Sequence, residues 1–207
     1  MRRVPIVPTL VVVFAVALMI GLGIWQASKA PWKEAMIARY HAAEGAPAID
    51  GLPADMSLDQ LAFRHTRLTC RITAASTQIG GVDARGRTGY RNIAGCALDD
   101  GRVILADLGW SPAGVRPALP PVGKRIEGSG RLSPDEPLVR RVLRGAPGAT
   151  PLLFVLSDAV PGLEPSVPPS IDMIPNNHRS YAVQWFLFAA VALIIYLLAL
   201  RKRDRQR

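Results

Sequence analysis

Apolar side chains without a single charge fill two long stretches of this chain, Val4 to Ile24 and Tyr181 to Leu200. Twenty helical residues at about 1.5 Å each cover about 30 Å, the thickness of a bilayer's hydrocarbon core. A charge at mid-span would cost about 3 kcal/mol on insertion scales. Two transmembrane helices are therefore expected, over residues 6–27 and 179–200. The first stretch has a rival reading as a cleaved signal peptide, with Ser28-Lys29-Ala30 as a small-x-small site. Pro31 would then follow the cut, and the run is longer than the 7–15 residues of a signal core. Both points favour an uncleaved anchor. Pro5 and Pro8 fall in the first turns, where a missing N–H matters least.

Between the stretches the pattern changes twice. Trp32, Met36, Ile37 and Tyr40 keep helical spacing and predict an interfacial helix over 31–44 that continues the first span. Trp25 and Trp32, seven apart, share its face and suit the interfacial belt. Gly45 to Pro53 breaks the helix, and Ser57 to Phe63 allows one short turn. From Arg64 the period is two, with Thr66, Leu68, Cys70 and Ile72 inward. Tyr90–Leu98 and Val103–Leu108 read as a hairpin in which Asp100-Gly101 supplies the positive φ of a tight turn. Ile126–Leu132 is a weaker strand whose Gly128 and Gly130 suggest bulges or close approach. Leu152–Leu156 is a further apolar strand, and Ser111–Pro121 and Val160–Pro169 are rich in Pro and Gly. The fold class expected is a membrane protein. Two transmembrane α-helices flank a mainly-β (α+β) extracytoplasmic domain over 28–178. Five to seven strands there close into a small barrel or sandwich.

Charge sets the orientation. The net charge is +9, and Arg2, Arg3, Arg201, Lys202, Arg203, Arg205 and Arg207, against Asp204, account for +6 of it. Basicity confined to the flanks of spans is topogenic, and argues against nucleic acid as a partner. Residues 1–5 and 201–207 are expected in the cytoplasm and the central domain outside it. In a bacterium that means an inner-membrane protein with a periplasmic domain. Cys70 and Cys96 then occupy a compartment that permits a disulfide. A disulfide and two small buried side chains both fit them, and no C-x-x-C is present.

No catalytic motif, phosphate-cradling loop or Cys/His cluster appears, so no enzymatic activity is expected. Seven residues follow the second span, too few for the output domain of a two-span sensor. The informative segments flank the spans. Gly21-Leu22-Gly23-Ile24-Trp25-Gln26 offers small residues for close helix approach. In the second segment Asn177, Tyr181 and Gln184 share one helical face, and His178, Tyr181 and Trp185 an adjacent one. A polar and aromatic stripe at a membrane entry should face protein or ligand rather than lipid.

Gly23-Ile24-Trp25-Gln26 with Trp32-Lys33, and Asn177-His178 with Tyr181, Gln184 and Trp185, resemble the two signatures of the Surfeit-locus-one (Shy-type) family. Phe63-Arg64, Gly89-Tyr90, and Val103-Ile104-Leu105 before Gly109-Trp110-Ser111-Pro112 have family counterparts too. Three features depart from the usual pattern, one of them a short stretch between Leu156 and Asn176. Asp107-Leu108 stands where the family has Asn-Arg, and Arg91 where it often has His.

The resemblance implies an assembly factor of cytochrome c oxidase acting on the oxidase's catalytic subunit. In some bacterial members it implies binding and handing on haem a. Haem a synthase is then an open second partner, beside membrane lipid. Under this resemblance His178 is the haem-iron ligand, Trp25 and Trp185 pack the macrocycle, Arg179 pairs with a propionate, and Tyr181 and Gln26 belong to the same site. The plainer readings stay open. His178 would hydrogen-bond to the external domain, Trp25 and Trp185 would be interfacial anchors, and Gln26 would bond Gln184 across the helices. His41 and His65 read as solvated. Arg140, Arg141 and Arg144 read as a solvated loop or a docking patch for an acidic partner. A cofactor-free scaffold, and a periplasmic thiol or copper chaperone, remain the alternative functions.

Overall fold

The computed structural model describes residues 5–205. Arg2, Arg3 and Arg207, which the tail-charge reading uses, lie outside the described residues. Two compact units emerge. One comprises the chain up to Ile37 together with the chain from Ile174 on, and the other is Ala38–Met173.

The first unit is a helix pair. Helix α1 runs Ile6–Glu44 without a break, through Pro31, and its last turns belong to the second unit. The last helix, α4, runs His178–Arg205. Both are long and apolar enough to cross a membrane, with mean hydropathy 2.6 and 2.4 over their most apolar windows. Val11, Phe14, Leu18, Ile194 and Leu198 face outward rather than into the protein, as a lipid solvent permits and water does not.

The second unit is mainly β. Its strands are β1 (Ile49–Asp50), β2 (His65–Ile72), β3 (Thr77–Val82), β4 (Thr88–Ala97), β5 (Val103–Pro112), β6 (Arg125–Pro134) and β7 (Ala149–Leu156). Two short helices join them, α2 (Leu58–Leu61) and α3 (Glu136–Leu143). The order is β1-β2-β6-β7-β5-β4-β3, and β2 also pairs with β4. That second pairing closes β2-β6-β7-β5-β4 into a five-stranded barrel. The closing seam is narrow, with only Arg71↔Ala97 and Ile72↔Cys96 in register. The Cys70–Cys96 disulfide spans it. Of the two sequence readings for these cysteines, the structure selects the disulfide.

Alternation explains β2, where Thr66, Leu68, Cys70 and Ile72 are buried and Arg67 and Arg71 exposed. Strand β5 is buried on both faces, so it reads as a continuous run rather than an alternating one. Leu68, Ile104, Ala106, Leu108, Leu132 and Phe154 fill the barrel. Ile93, Leu105, Leu153 and Val155 point outward under Leu138 and Val139 of α3. Of the glycines in β6, Gly130 serves close approach, since a Cβ there would lie 2.2 Å from the Val155 carbonyl. Pairing through Gly128 and Gly130 is regular, with no bulge.

Three expectations need correction. The β4–β5 turn is a three-residue loop, Asp99 to Gly101, closed by the Leu98 N–H to Arg102 carbonyl bond; only Gly101 takes positive φ, at 85°. Arg140 and Arg141 lie on α3 and Arg144 caps it, so they are not on a loop. Asp135 caps that helix by accepting from the Leu138 N–H at 3.0 Å. Strand β3 was not anticipated, because Thr77-Gln78-Ile79-Gly80-Gly81-Val82 has two glycines and no clean alternation.

The Pro-rich stretch after β7 is a strap on the barrel. Trp110 and Glu164 exchange backbone hydrogen bonds of 2.6 and 2.9 Å, and Val160 N–H donates to the Leu108 carbonyl. Ser166 Oγ donates to Asp107, which also accepts from the Gly109 N–H. Arg91 completes the cluster, its Nε donating to Asp107 Oδ2 at 2.7 Å. Arg91 and Asp107, which both depart from the family pattern, thus form one ion pair, with Asp107 buried and Arg91 partly so.

Candidate functional site

Within the helix pair, a seam follows residues 179, 182, 186, 189 and 196 of α4, a three-and-four spacing that keeps them on one side. Ala182 and Ala189 are buried in it, as is Ala30 of α1. Gly23 admits the Phe186 ring, which a Cβ at residue 23 would meet at 2.7 Å. Polar contacts bracket this apolar stretch. Thr9 and Tyr196 hydroxyls bond at one end, and Gln26–His178 and Glu34–Arg179 at the other.

His178 opens α4, and its Nδ1 lies 2.7 Å from Gln26 Oε1. An amide oxygen only accepts, so Nδ1 carries a proton in this contact, and in the neutral ring Nε2 then keeps the lone pair. Gln26 therefore meets His178 and not Gln184, which is exposed. Arg179 is held by Glu34 through Nε and through a 2.7 Å bond from Nη2. The hydrogen bond from Arg179 holds the Glu34 carboxyl below its usual pKa. That fork uses one edge of the guanidinium and leaves the Nη1 edge for a second carboxylate. Between the helices a cavity of about 300 Å³ is lined by Ala27, Ala30, Pro31, Arg179, Ala182 and Val183. Pro31 has no N–H, so the Ala27 carbonyl on this wall lacks its helical donor.

The aromatic residues expected near His178 are placed less tightly. Trp25 is 52% and Tyr181 48% exposed. Trp185 packs edge-on against Phe188, with ring centroids 6.1 Å apart. Sequence reasoning missed Glu34, although it is the first carboxylate of the chain and lies one helical segment beyond the span. It also missed Thr9 and Tyr196, whose hydroxyls are unremarkable until the two helices are paired. His65, read as solvated, lies 3.0 Å from Arg131 Nη2, and His41 forms an exposed pair with Glu44.

Fold and site together define a protein with two membrane-competent helices and a small β-barrel between them in sequence, whose distinctive polar chemistry gathers where the helices leave the apolar span. Residues 13–190 match the SURF1 family, and the chain belongs to it. The family is associated with cytochrome c oxidase assembly, and its members are assembly factors rather than catalysts. No curated protein matches the chain.

Proposed function

We propose that this protein takes haem a as cargo on His178 and passes it to the catalytic subunit of cytochrome c oxidase. The observation that carries this reading is the Gln26–His178 hydrogen bond. Histidines that bind metals almost always donate their other ring N–H to an oxygen acceptor, which fixes the tautomer and raises basicity. Gln26 gives His178 that arrangement and leaves Nε2 for the haem iron. The donor set fits the cargo: an imidazole whose Nδ1 is engaged by Gln26, a guanidinium with a free edge for a propionate, and exposed Trp25, Tyr181 and half-buried Trp185 for the macrocycle. Haem a synthase is the natural donor.

The same reading places the protein in a bacterial inner membrane, with both termini cytoplasmic and the β-domain periplasmic. Arg201, Lys202, Arg203 and Arg205 just past the α4 span support that orientation. So does the disulfide, which persists in oxidising compartments. A reporter after Arg207 should be cytoplasmic, and one inserted near Gly114 periplasmic; the reverse would sink the orientation. Both thiols are consumed in the buried disulfide, which weighs against the thiol and copper chaperone.

The deciding measurement is the reduced-minus-oxidised visible spectrum of the purified protein, co-expressed with the enzymes that make haem a. A haem a band that His178→Ala removes, with the protein still folded and inserted, is the expected result. A flat spectrum from folded protein would replace this reading with a cofactor-free scaffold.

A further inference from the structure

Strand β3 ends the sheet, with β4 as its one neighbour. Asp83 N–H bonds back across the β3–β4 turn to the Arg87 carbonyl, while the Val82 carbonyl accepts from Val167 on the other side. Antiparallel backbones alternate in direction. Gly80 and Gln78, in phase with Val82, therefore turn their N–H and C=O groups away from β4.

Among the described residues, only one end of this edge is covered. Ser166 bridges Asp83 in antiparallel register, and Val167 meets Val82. Continuing that register would set Pro168 and Pro169 opposite Gly81 and Gly80. Neither proline has an N–H to donate, so the strap stops there. Natural sheets blunt exposed edges with charges, prolines or cover. Thr77-Gln78-Ile79-Gly80-Gly81-Val82 carries no charge and no proline.

Beside the open edge is a groove of about 380 Å³, lined by Thr77, Gln78, Ile79 and Gly80 on one side and Arg141, Val142 and Arg144 on the other. Arg140 is paired with Glu136. Arg141 and Arg144 are exposed and form no ion pair among the described residues. No carboxylate lines the groove.

We propose that this edge docks an extended acidic segment of a partner protein. The segment adds as a strand along Gln78–Gly80, and its carboxylates meet Arg141 and Arg144. Backbone pairing supplies the grip and the arginines select the charge. A second copy of this chain fits less well, because isologous pairing of the same uncharged strand brings the arginines no carboxylate. The inference is independent of the haem reading.

The test uses the full-length protein in lipid nanodiscs, titrated by fluorescence anisotropy with three labelled heptapeptides. One is Thr-Val-Glu-Val-Glu-Val-Thr, one has Lys in place of Glu, and one is the acidic peptide N-methylated at alternate residues. The acidic peptide should bind in a salt-sensitive manner, with the other two at least about tenfold weaker. The double variant R141E/R144E should reverse the charge preference. Gly80→Pro, where no neighbour crowds an added side chain, should weaken binding of all three. The N-methyl comparison leaves the protein untouched, so it decides even if Gly80→Pro misfolds. Equal binding of acidic and lysine peptides, or no loss on N-methylation, overturns the proposal. A dimer in sedimentation that Gly80→Pro dissolves, without peptide binding, overturns it in favour of a second copy.

Discussion

Asp107 has no exposed side-chain surface, and three donors converge on it: Arg91, the Gly109 N–H and Ser166. Breaking a buried pair by removing one partner costs about 3–5 kcal/mol, because the other charge stays behind. Asp107→Ala should lower the melting temperature of the β-domain by roughly 10–20 °C, given the entropy of a domain this size. Differential scanning calorimetry would check it. A loss of only a degree or two would mean that Arg91 swings out to water. Asn92, fully buried one residue away, donates to the Gly109 carbonyl at 3.1 Å and to Ser111 Oγ. The polar side chains of this region are thus spent on holding the strap and the β4–β5 irregularity. The sequence shows Arg91 and Asp107 as two unrelated departures from a family pattern. Only the register of β4 on β5 makes them one interaction.

The Glu34–Arg179 pair gives the helix pair one acid-sensitive contact. The Glu34 pKa is depressed by the Arg179 hydrogen bond. A depressed carboxyl contributes stability that is fully present above its unfolded pKa, near 4.5, and fades as pH falls through the lower folded value. Spin labels flanking Glu34 and Arg179 should report a constant separation from pH 8 to 5 and a wider one only in stronger acid. Glu34→Gln should show the wider separation at every pH. An opening near neutrality would exclude Glu34 as its cause.

At the scale of elements, close approach matters more than propensity. Gly130 in β6 faces the β7 backbone, and any Cβ there strikes the Val155 carbonyl. Gly80 in β3 has open space. Gly130→Ala should therefore abolish or severely destabilise the folded barrel, whereas Gly80→Ala should melt within a degree or so of wild type. Equal melting would show that β6 and β7 separate freely. In the helix pair, Tyr196→Phe removes the bond to Thr9 and should weaken association of the isolated helices by about 0.6 kcal/mol, the usual size of such a bond in lipid. A FRET assay in micelles would measure it.

For the molecule as a whole, the disulfide is the clasp of the barrel. It crosses the β2–β4 seam, where two register pairs do the work that longer ladders do elsewhere. Loop-closure estimates for a cross-link spanning 26 positions give about 3.5 kcal/mol. The Cys70→Ser/Cys96→Ser variant should unfold at lower denaturant by about that amount and keep its helices. Loss of the haem a band in this variant, with α1 and α4 still inserted, would tie cargo binding to the barrel.

Some features needed no tertiary information. The spans announce themselves because lipid demands length and absence of charge, both local properties. Strand β2 followed from period-two burial, and the β4–β5 hairpin from two apolar runs around a glycine turn. The residues of the interfacial motif, Trp25, Gln26, His178 and Tyr181, were visible as sequence words. Strand β3 was hidden because an edge strand on an exposed face needs no apolar alternation. Helix α3 was hidden because its few buried residues lie among arginines, although Asp135 before Glu136-Pro137 is a legible cap. Which side chains touch was decided by packing alone. Gln26 chooses His178 over Gln184, Glu34 captures Arg179, and Cys70 meets Cys96 only because β2 and β4 close a ring. Local sequence sets the period and solvent of each segment, whereas contacts across long separations depend on how those segments register once paired.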